Sequence, residues 1–281
     1  MNSVGAYDLG VKWKTTRLTG SLGAEVAGVD INAFGKDDAG HLAELIARRH
    51  VLLFRGQWVD NEQLKRFGAL FGELNKFAFK GYVADEEGAV LIMRNDPIHA
   101  VTALWHTDAP IYERPPAYSI LAERKIPEAG GDTLFANQHA AFDSLSEGFK
   151  TLLRGLKAVH SYEYGGQLGA KTQIHPVVRV HPISKREALY ISRSTVKRFD
   201  GITEEESRPL LELIFDRATD HDFRYRHVWA KGDVIMWDNR SVMHRSTHDY
   251  GSDPDARLMH TIQCRPEPVY GPNSLEARAG V

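Results

Sequence analysis

The chain has 281 residues, and its composition is that of an ordinary globular protein, with 42% hydrophobic and 26% charged residues. This length is compatible with one large β-rich domain. The 35 basic residues are balanced by 37 acidic ones, so charge offers no support for a nucleic-acid or membrane partner. Cys264 is the single cysteine, which excludes an internal disulfide and favours a reducing, cytoplasmic location. We expect no secretory leader, because the first 20 residues contain no apolar h-region, and no apolar run is long enough to span a membrane.

The first half of the chain predicts helices mixed with short strands. Apolar and polar residues alternate over residues 15–31, which indicates a small β element. An amphipathic helix follows, with Asp37 or Asp38 as its N-cap, and then the short buried strand VLLFRG. A second amphipathic helix lies in DNEQLKRFGALFGEL, before four strand-like stretches, AVLIMRND, LWHTDA, AYSILAERK and DTLFAN.

The second half of the chain is richer in strands. The segment QHAAFDSLSEGFKTLLRGL is predicted to be helical, and the glycine-rich HSYEYGGQLGAKTQIH is predicted to be a loop. A further helix begins at Thr203, with Glu206 at capping-box spacing. The strand-like stretches are PVVRVHP, ALYIS, DFRYRHVW, GDVIMWDN and RLMHTIQC.

This pattern predicts one domain over residues 1–281, with a core from about 15 to 268 and a loosely held C-terminal tail. The fold expected is mostly β, an antiparallel jelly roll with flanking helices. A doubly wound parallel fold is the competitor, but the chain lacks the phosphate-binding patterns G-x-G-x-x-G and G-x-x-x-x-G-K.

The motif LWHTDAP at residues 104–110 places His106 and Asp108 two positions apart. On a strand, such residues face the same side, so both can reach one cation. Among the 13 histidines, His244 in MWDNRSVMHR is the best third ligand, because it follows a strand and a turn. Two imidazoles and one carboxylate form the facial set that leaves three positions open on Fe(II). Structural zinc would instead require four ligands, usually including cysteines.

Three open metal positions suit a chelating 2-oxo acid together with O₂. The distal carboxylate of such an acid needs a cation, and Arg257 lies on the strand after His244. Thr133 in GGDTLF could donate a hydroxyl hydrogen bond to the same carboxylate. Fe(II), one aspartate, a dianionic 2-oxo acid and Arg257 sum to zero charge, which favours burial.

The blocks WHTD, GGDTLFANQHAAFDSLS, HPVVRVHP, WDNRSVMHR and RLMHT resemble the taurine dioxygenase and 2,4-D dioxygenase family of Fe(II)/2-oxoglutarate enzymes. The resemblance runs from about Leu18 to Pro268, with the blocks in the family's order. It implies a double-stranded β-helix core of the cupin type. It also implies iron ligation by His106, Asp108 and His244, and 2-oxoglutarate contacts from Thr133 and Arg257.

The activity that the resemblance implies is hydroxylation of a small molecule, with C–X cleavage where the hydroxylated carbon bears a heteroatom, and release of succinate and CO₂. Family likeness also suggests a homodimer or homotetramer. A metal-binding jelly roll without turnover is the alternative, although such a protein would not need the Arg257 and Thr133 clamp. A nucleic-acid or protein demethylase is disfavoured by the near-neutral charge.

The substrate is less well defined by the sequence. Taurine enzymes of the family carry a second arginine four residues after the 2-oxoglutarate arginine, where this chain has Thr261, and a histidine where it has Phe77. Both departures argue against taurine and favour a small organic acid or amino-acid-like molecule. A glycine-rich lid is predicted over Gly165–Gly169, with a plain surface loop as the alternative. The candidate substrate residues are Phe77, Asn95, Trp105 and Trp237, and ordinary core aromatics are an equal alternative for the two tryptophans.

Overall fold

The structure is a computed structural model that describes residues 13–77, 83–94, 102–162, 171–251, 253 and 255–275. Within these residues the helices are α1 (Lys36–Arg49), α2 (Asn61–Ala69), α3 (Gln138–Asp143), α4 (Glu147–Arg154) and α5 (Glu204–Ala218). The strands of the first half are β1 (Lys14–Arg17), β2 (Ala24–Ala27), β3 (Val51–Phe54), β4 (Val83–Ala84), β5 (Leu91–Arg94), β6 (Pro116–Lys125) and β7 (Thr133–Asn137). Those of the second half are β8 (Lys157–Ser161), β9 (Thr172–Pro176), β10 (Val178–Val180), β11 (Glu187–Leu189), β12 (Val196–Phe199), β13 (Arg224–His227), β14 (Val234–Asp238), β15 (Val242–Ser246) and β16 (Leu258–Pro266).

The major sheet contains eight of the described strands, in the order β1-β2-β3-β14-β6-β16-β5-β4. Among these strands, β2 and β3 pair in parallel and the other neighbours pair antiparallel. Its central register aligns Trp237 of β14 with Ser119 of β6, and Ser119 with Gln263 of β16. The three side chains therefore lie in one row across the sheet, and this row later forms a wall of the site.

A smaller sheet has the order β13-β7-β15 in the described chain. Its Phe135 packs in one buried cluster with residues of the major sheet, including Leu121, Ile235 and Trp237. The two sheets thus enclose a shared apolar interior, as a jelly roll requires. Register in the smaller sheet places Phe135 opposite His244, and Thr133 opposite Ser246.

The helices pack in two buried apolar clusters. Apolar side chains of α1 and α2 pack with β3, β6 and β14 in one buried cluster. Residues of α3, α4 and α5 form a second cluster with β8, β10 and β12. No helix in the described part of the chain is long and apolar enough to cross a membrane. The predicted class, mostly β with a jelly-roll core and flanking helices, is confirmed.

Several local predictions need correction. The N-cap of α1 is Gly35, and Asp38 accepts a hydrogen bond from the Gly35 amide from inside the first turn. The helical segment at residues 138–154 consists of two helices, because the Ser146 hydroxyl accepts a hydrogen bond from the amide of Phe149 and starts α4 afresh. The predicted loop HSYEYGGQLGAKTQIH begins and ends in the paired strands β8 and β9, and residues 163–170 lie outside the described part. The capping box of α5, formed by Thr203 and Glu206, is confirmed.

Candidate functional site

His106, Asp108 and His244 converge at one end of the space between the two sheets. Their ligand atoms all lie within 4.8 Å of one another. The carboxylate Oδ1 of Asp108 is 3.8 Å from Nε2 of His106 and 3.6 Å from Nε2 of His244. Both histidine side chains are 9% exposed. The structure thus brings together three side chains that the sequence separates by up to 138 positions.

The backbone fixes this convergence. The LWHTDA stretch was expected to be strand-like, but within it only His106 pairs, as an isolated bridge to His244 of β15. The two residues exchange both backbone hydrogen bonds, at 3.0 and 2.8 Å. The chain then turns at Ala109, whose φ of 46° lies in the left-handed region. Asp108 is therefore presented from a turn next to a bridge, and its side chain folds back toward both imidazoles.

Hydrogen bonds set the orientation of the first two side chains. Nδ1 of His106 lies 2.7 Å from the carbonyl oxygen of Leu104, to which it can only donate, so Nε2 keeps its lone pair. The Ser119 hydroxyl donates to Oδ2 of Asp108 at 2.5 Å. Because Oδ2 is engaged, Oδ1 is the oxygen that faces the two imidazoles.

Ring packing holds His244. Its ring centroid lies 4.2 Å from that of His106, 4.6 Å from Trp237 and 6.2 Å from Phe135. Its Nδ1 is buried and has no hydrogen-bond partner among the described residues. Aromatic contacts, rather than a hydrogen bond, therefore orient this imidazole.

The electrostatics of the cluster suit a cation. Burial, followed by the neighbouring His106, lowers the pKa of His244 well below its ordinary value, so the ring is neutral and able to ligate. Burial also raises the pKa of Asp108, against opposing effects of His106 and of hydrogen bonds from Ser119, Gln263 and Asn239. A bound divalent cation would favour the carboxylate form of Asp108 and remove the cost of burying its charge.

The donor set fits a divalent transition metal. Two imidazole nitrogens and one carboxylate oxygen are the ligands of non-haem Fe(II) oxygenase sites. Ligands at right angles, each about 2.1 Å from an ion, lie about 3 Å apart. The two distances from Asp108, 3.6 and 3.8 Å, need to contract by less than about 1 Å to reach that spacing, and the two imidazole nitrogens, within 4.8 Å of each other, by at most about 2 Å. Small side-chain movements would close the site around an ion.

Thr133 begins β7 of the smaller sheet, and Arg257 directly precedes β16 of the major sheet. Arg257 is 5% exposed, and its Nε donates to the carbonyl oxygen of Gly131 at 3.1 Å. No carboxylate of the described residues forms a salt bridge with it. Burial lowers the pKa of Arg257, because the buried guanidinium has no carboxylate in a salt bridge with it among the described residues. Thr133 accepts a hydrogen bond from the Trp229 indole at 3.1 Å, which leaves its hydroxyl hydrogen available to an acceptor.

The pairing register of β7 and β15 relates Thr133, and through Gly131 the Arg257 side chain, to the position of His244. Phe135 pairs with His244, and Thr133 is two residues before Phe135. Thr133 therefore lies diagonally across from His244, on the same face of the smaller sheet. Gly131, which holds Arg257, is two residues before Thr133. A molecule that chelates an ion at the triad would therefore extend its far end toward a hydroxyl and a buried guanidinium without a counter-ion.

The predicted substrate residues have different positions. Trp237 packs directly on His244, but its indole nitrogen is engaged by Asn239 at 3.0 Å. Trp105 packs against the helix-covered cluster and lies under Arg224 and Arg245, which favours the core-aromatic alternative for it. Phe77 is half-buried in the chain after α2, without a described contact to the triad. Asn95 and Gly165–Gly169 lie outside the described residues.

Three residues that support Asp108 were missed by the sequence analysis. Ser119, Asn239 and Gln263 all hydrogen-bond to its carboxylate. Asn239 also accepts from the Asp108 amide at 3.3 Å and donates to the Ser119 hydroxyl at 2.8 Å. The position of Asn239, at the turn that follows a strand and precedes His244, was the one available signal. Ser119 and Gln263 are ordinary strand residues, and only the register of the major sheet brings them to the site.

An ion-pair network fixes the turn that carries Asn239. Asp238 is fully buried and accepts two hydrogen bonds from the Arg240 guanidinium, both at 2.7 Å, and one from His181 at 2.9 Å. Although burial alone would raise it, the pKa of Asp238 is held well below its ordinary value by the charge of Arg240 and by His181. Arg240 also reaches Glu267 at 3.0 Å. The turn between β14 and β15 is therefore rigid, which fixes Asn239.

Comparison with known proteins gives a consistent family. A family model described as "Taurine catabolism dioxygenase TauD, TfdA family" matches residues 14–263. The chain is 32% identical over 285 residues to an alkylsulfatase of Acinetobacter baylyi, covering 93% of this chain and 88% of that protein. It is 30% identical to an alpha-ketoglutarate-dependent sulfonate dioxygenase of Saccharomyces cerevisiae, covering 84% of this chain but 63% of that protein. The crystal structure of a taurine dioxygenase from Burkholderia xenovorans superposes with a TM-score of 0.83 and 31% identity, covering 94% of each chain.

Proposed function

Because the chain belongs to the TauD, TfdA family and is a 2-oxoglutarate-dependent dioxygenase, we propose that His106, Asp108 and His244 hold its Fe(II). The observation that carries this proposal is the convergence of three ligand atoms within 4.8 Å. The two histidines would ligate through ring nitrogens, and Asp108 supplies one negative charge. When bound, Fe(II) supplies the activation of O₂ that is coupled to the decarboxylation of 2-oxoglutarate.

Arg257 and Thr133 orient the cosubstrate in this proposal. The Arg257 guanidinium receives the distal carboxylate through two parallel hydrogen bonds, while Gly131 holds its Nε. The Thr133 hydroxyl donates to the same carboxylate, and its oxygen stays anchored by Trp229. Fe(II), Asp108, the 2-oxoglutarate dianion and Arg257 then sum to zero charge, which favours their burial together.

We further propose that the substrate is a small organic acid or amino-acid-like molecule, which the enzyme hydroxylates. Hydroxylation at a carbon that bears a heteroatom would go on to cleave the C–X bond. Thr261 supports a substrate other than taurine, because its hydroxyl donates to the carbonyl oxygen of Ile120 at 3.1 Å and offers no positive charge. Gln263, two residues further along the same face, is neutral as well. Two arginines that could bind a carboxylate substrate, Arg94 and Arg193, already form ion pairs with Asp255 and Glu212 at the surface.

A substrate screen tests this function. Protein loaded with Fe(II) and 2-oxoglutarate in air is supplied with amino acids, aryloxyalkanoates, aliphatic acids, alkyl sulfates and taurine, and succinate is measured. We expect an organic or amino acid to drive succinate release well above the rate without substrate. Taurine or an alkyl sulfate that drove release as fast as the best acid would contradict the substrate proposal. Absence of Fe(II) binding would contradict the assignment of the metal ligands.

A further inference from the structure

The carboxylate of Asp108 has two oxygens with different tasks. Oδ1 faces Nε2 of both histidines, at 3.6 and 3.8 Å, while Oδ2 receives the Ser119 hydroxyl at 2.5 Å. A carboxylate can ligate a metal through one oxygen or through both. Here Oδ2 is occupied by a donor from β6. The side chain is therefore held in an orientation that offers one oxygen to an ion.

Ser119 is itself held by a chain of hydrogen bonds. Its oxygen accepts from Nδ2 of Asn239 at 2.8 Å, which directs its hydrogen toward Asp108. Oδ1 of Asn239 accepts from the Trp237 indole at 3.0 Å and from the Asp108 amide at 3.3 Å, so the amide group cannot flip without losing these bonds. Ser119 and Asn239 are 0% and 2% exposed.

The same chain links two of the three proposed ligands. Trp237 packs on the ring of His244 at 4.6 Å and, through Asn239 and Ser119, sets the rotation of Asp108. Because His244 has no described hydrogen-bond partner at Nδ1, this packing is its principal constraint. Displacement of the indole would disturb both ligands together.

We infer that Ser119, oriented by Asn239 and Trp237, is a positioning residue that restricts Asp108 to coordination through one oxygen. The inference rests on the proposed metal site. Its consequence is functional, because 2-oxoglutarate needs two metal positions and O₂ needs a third. A second carboxylate oxygen on the metal would occupy one of these three. Ser119 thus keeps the number of open positions at three.

The test uses Mn(II), a redox-inert probe that electron paramagnetic resonance detects directly. We expect Ser119→Ala to weaken Mn(II) binding about tenfold or more, the range measured for loss of an outer partner of a metal ligand. Freed from Ser119, Oδ2 competes for the position of 2-oxoglutarate, so binding of 2-oxoglutarate to the Mn(II) protein weakens too. Ser119→Thr retains the hydroxyl and is expected to restore both affinities. Ser207→Ala is the matched control, because Ser207 is also fully buried and its hydroxyl accepts one backbone N–H, from Phe199.

The outcomes distinguish failure of the proposed metal site from failure of the role proposed for Ser119. Failure of the wild type to bind Mn(II) would overturn the metal site itself. Wild-type affinity for both Mn(II) and 2-oxoglutarate in Ser119→Ala would overturn the role of Ser119 and leave the metal site standing. Should Ser119→Ala fail to fold by circular dichroism, Trp237→Phe supplies the test, because it keeps a ring on His244 and removes the donor to Asn239. Weaker binding in Trp237→Phe would support the inference, and unchanged binding would overturn it.

Discussion

Replacement of Arg257 by glutamine separates the binding of 2-oxoglutarate from folding. Arg257 is 5% exposed, and its guanidinium has one described hydrogen bond, to Gly131, with no carboxylate partner among the described residues. Without 2-oxoglutarate it is a buried charge, which is unfavourable by several kcal/mol. With 2-oxoglutarate bound it becomes half of a buried ion pair, whose disruption costs about 3–5 kcal/mol. This corresponds to a loss of roughly 10²- to 5 × 10³-fold in affinity for 2-oxoglutarate.

The assay is calorimetric titration of the Mn(II) protein with 2-oxoglutarate, alongside thermal unfolding of the protein without it. Arg257→Gln is expected to lose 2-oxoglutarate affinity while its unfolding temperature equals or exceeds that of the wild type. Arg257→Lys keeps the charge but loses the planar fork, so its affinity should be intermediate. Arg193→Gln is the control, because Arg193 pairs with Glu212 on the surface. Wild-type affinity for 2-oxoglutarate in Arg257→Gln, or a large loss of stability in that variant, would contradict the role proposed for Arg257.

Two further predictions concern the support of Arg257 and the effect of pH. Gly131→Ala should cost about 1–2 kcal/mol of stability, because Gly131 has a φ of +72°, and should also weaken 2-oxoglutarate binding, because its Cβ would lie 3.2 Å from Cδ of Arg257. Gly201→Ala, with a φ of +75° and no atom within 4 Å of its Cβ, should lose similar stability with unchanged affinity; equal affinity in both variants would contradict the prediction. Burial lowers the pKa of His175 to about 4, so from pH 6.5 down to pH 4 the unfolded chain takes up a proton that the folded imidazole does not, and stability falls by about 3 kcal/mol from this group. His175→Gln should reduce the pH dependence of urea unfolding in this window by about one proton, and a slope equal to that of the wild type would disprove the assignment.

Local signals in the sequence predicted much of the fold. The Thr203 and Glu206 capping box lies within four residues, so its hydrogen bonds can be anticipated without tertiary information. Periodicity likewise placed β6, β7, β14 and β16. It failed at the break between α3 and α4, where the Ser146 cap competes with a continuous apolar face.

Some residues of the candidate site could be predicted from the sequence, and others could not. His106 and Asp108 are near neighbours in sequence, and His244 belongs to a recognisable block, so all three could be nominated in advance. Ser119 and Gln263 could not, because they reach Asp108 only through the register that aligns β6 with β16. A shift of one residue in that register would turn both side chains to the opposite face of the sheet.

Trp105 illustrates the limit of reasoning from neighbours in sequence. It adjoins His106, yet alternation along the chain directs its ring away from the triad, toward the apolar cluster and the two arginines Arg224 and Arg245. Trp237, more than 100 positions from His106, has its ring on His244. Which of the two tryptophans adjoined the proposed metal site therefore depended on the packing of the sheets and not on proximity in the sequence.

We propose that His106, Asp108 and His244 bind Fe(II), to which 2-oxoglutarate then chelates. The most direct measurement is the visible absorption spectrum of the anaerobic protein with Fe(II) and 2-oxoglutarate. The wild type is predicted to show a weak metal-to-ligand charge-transfer band, which is lost in Asp108→Ala and retained in Arg193→Gln. A wild-type protein without the band, or an Asp108→Ala protein with an undiminished band, would contradict the account.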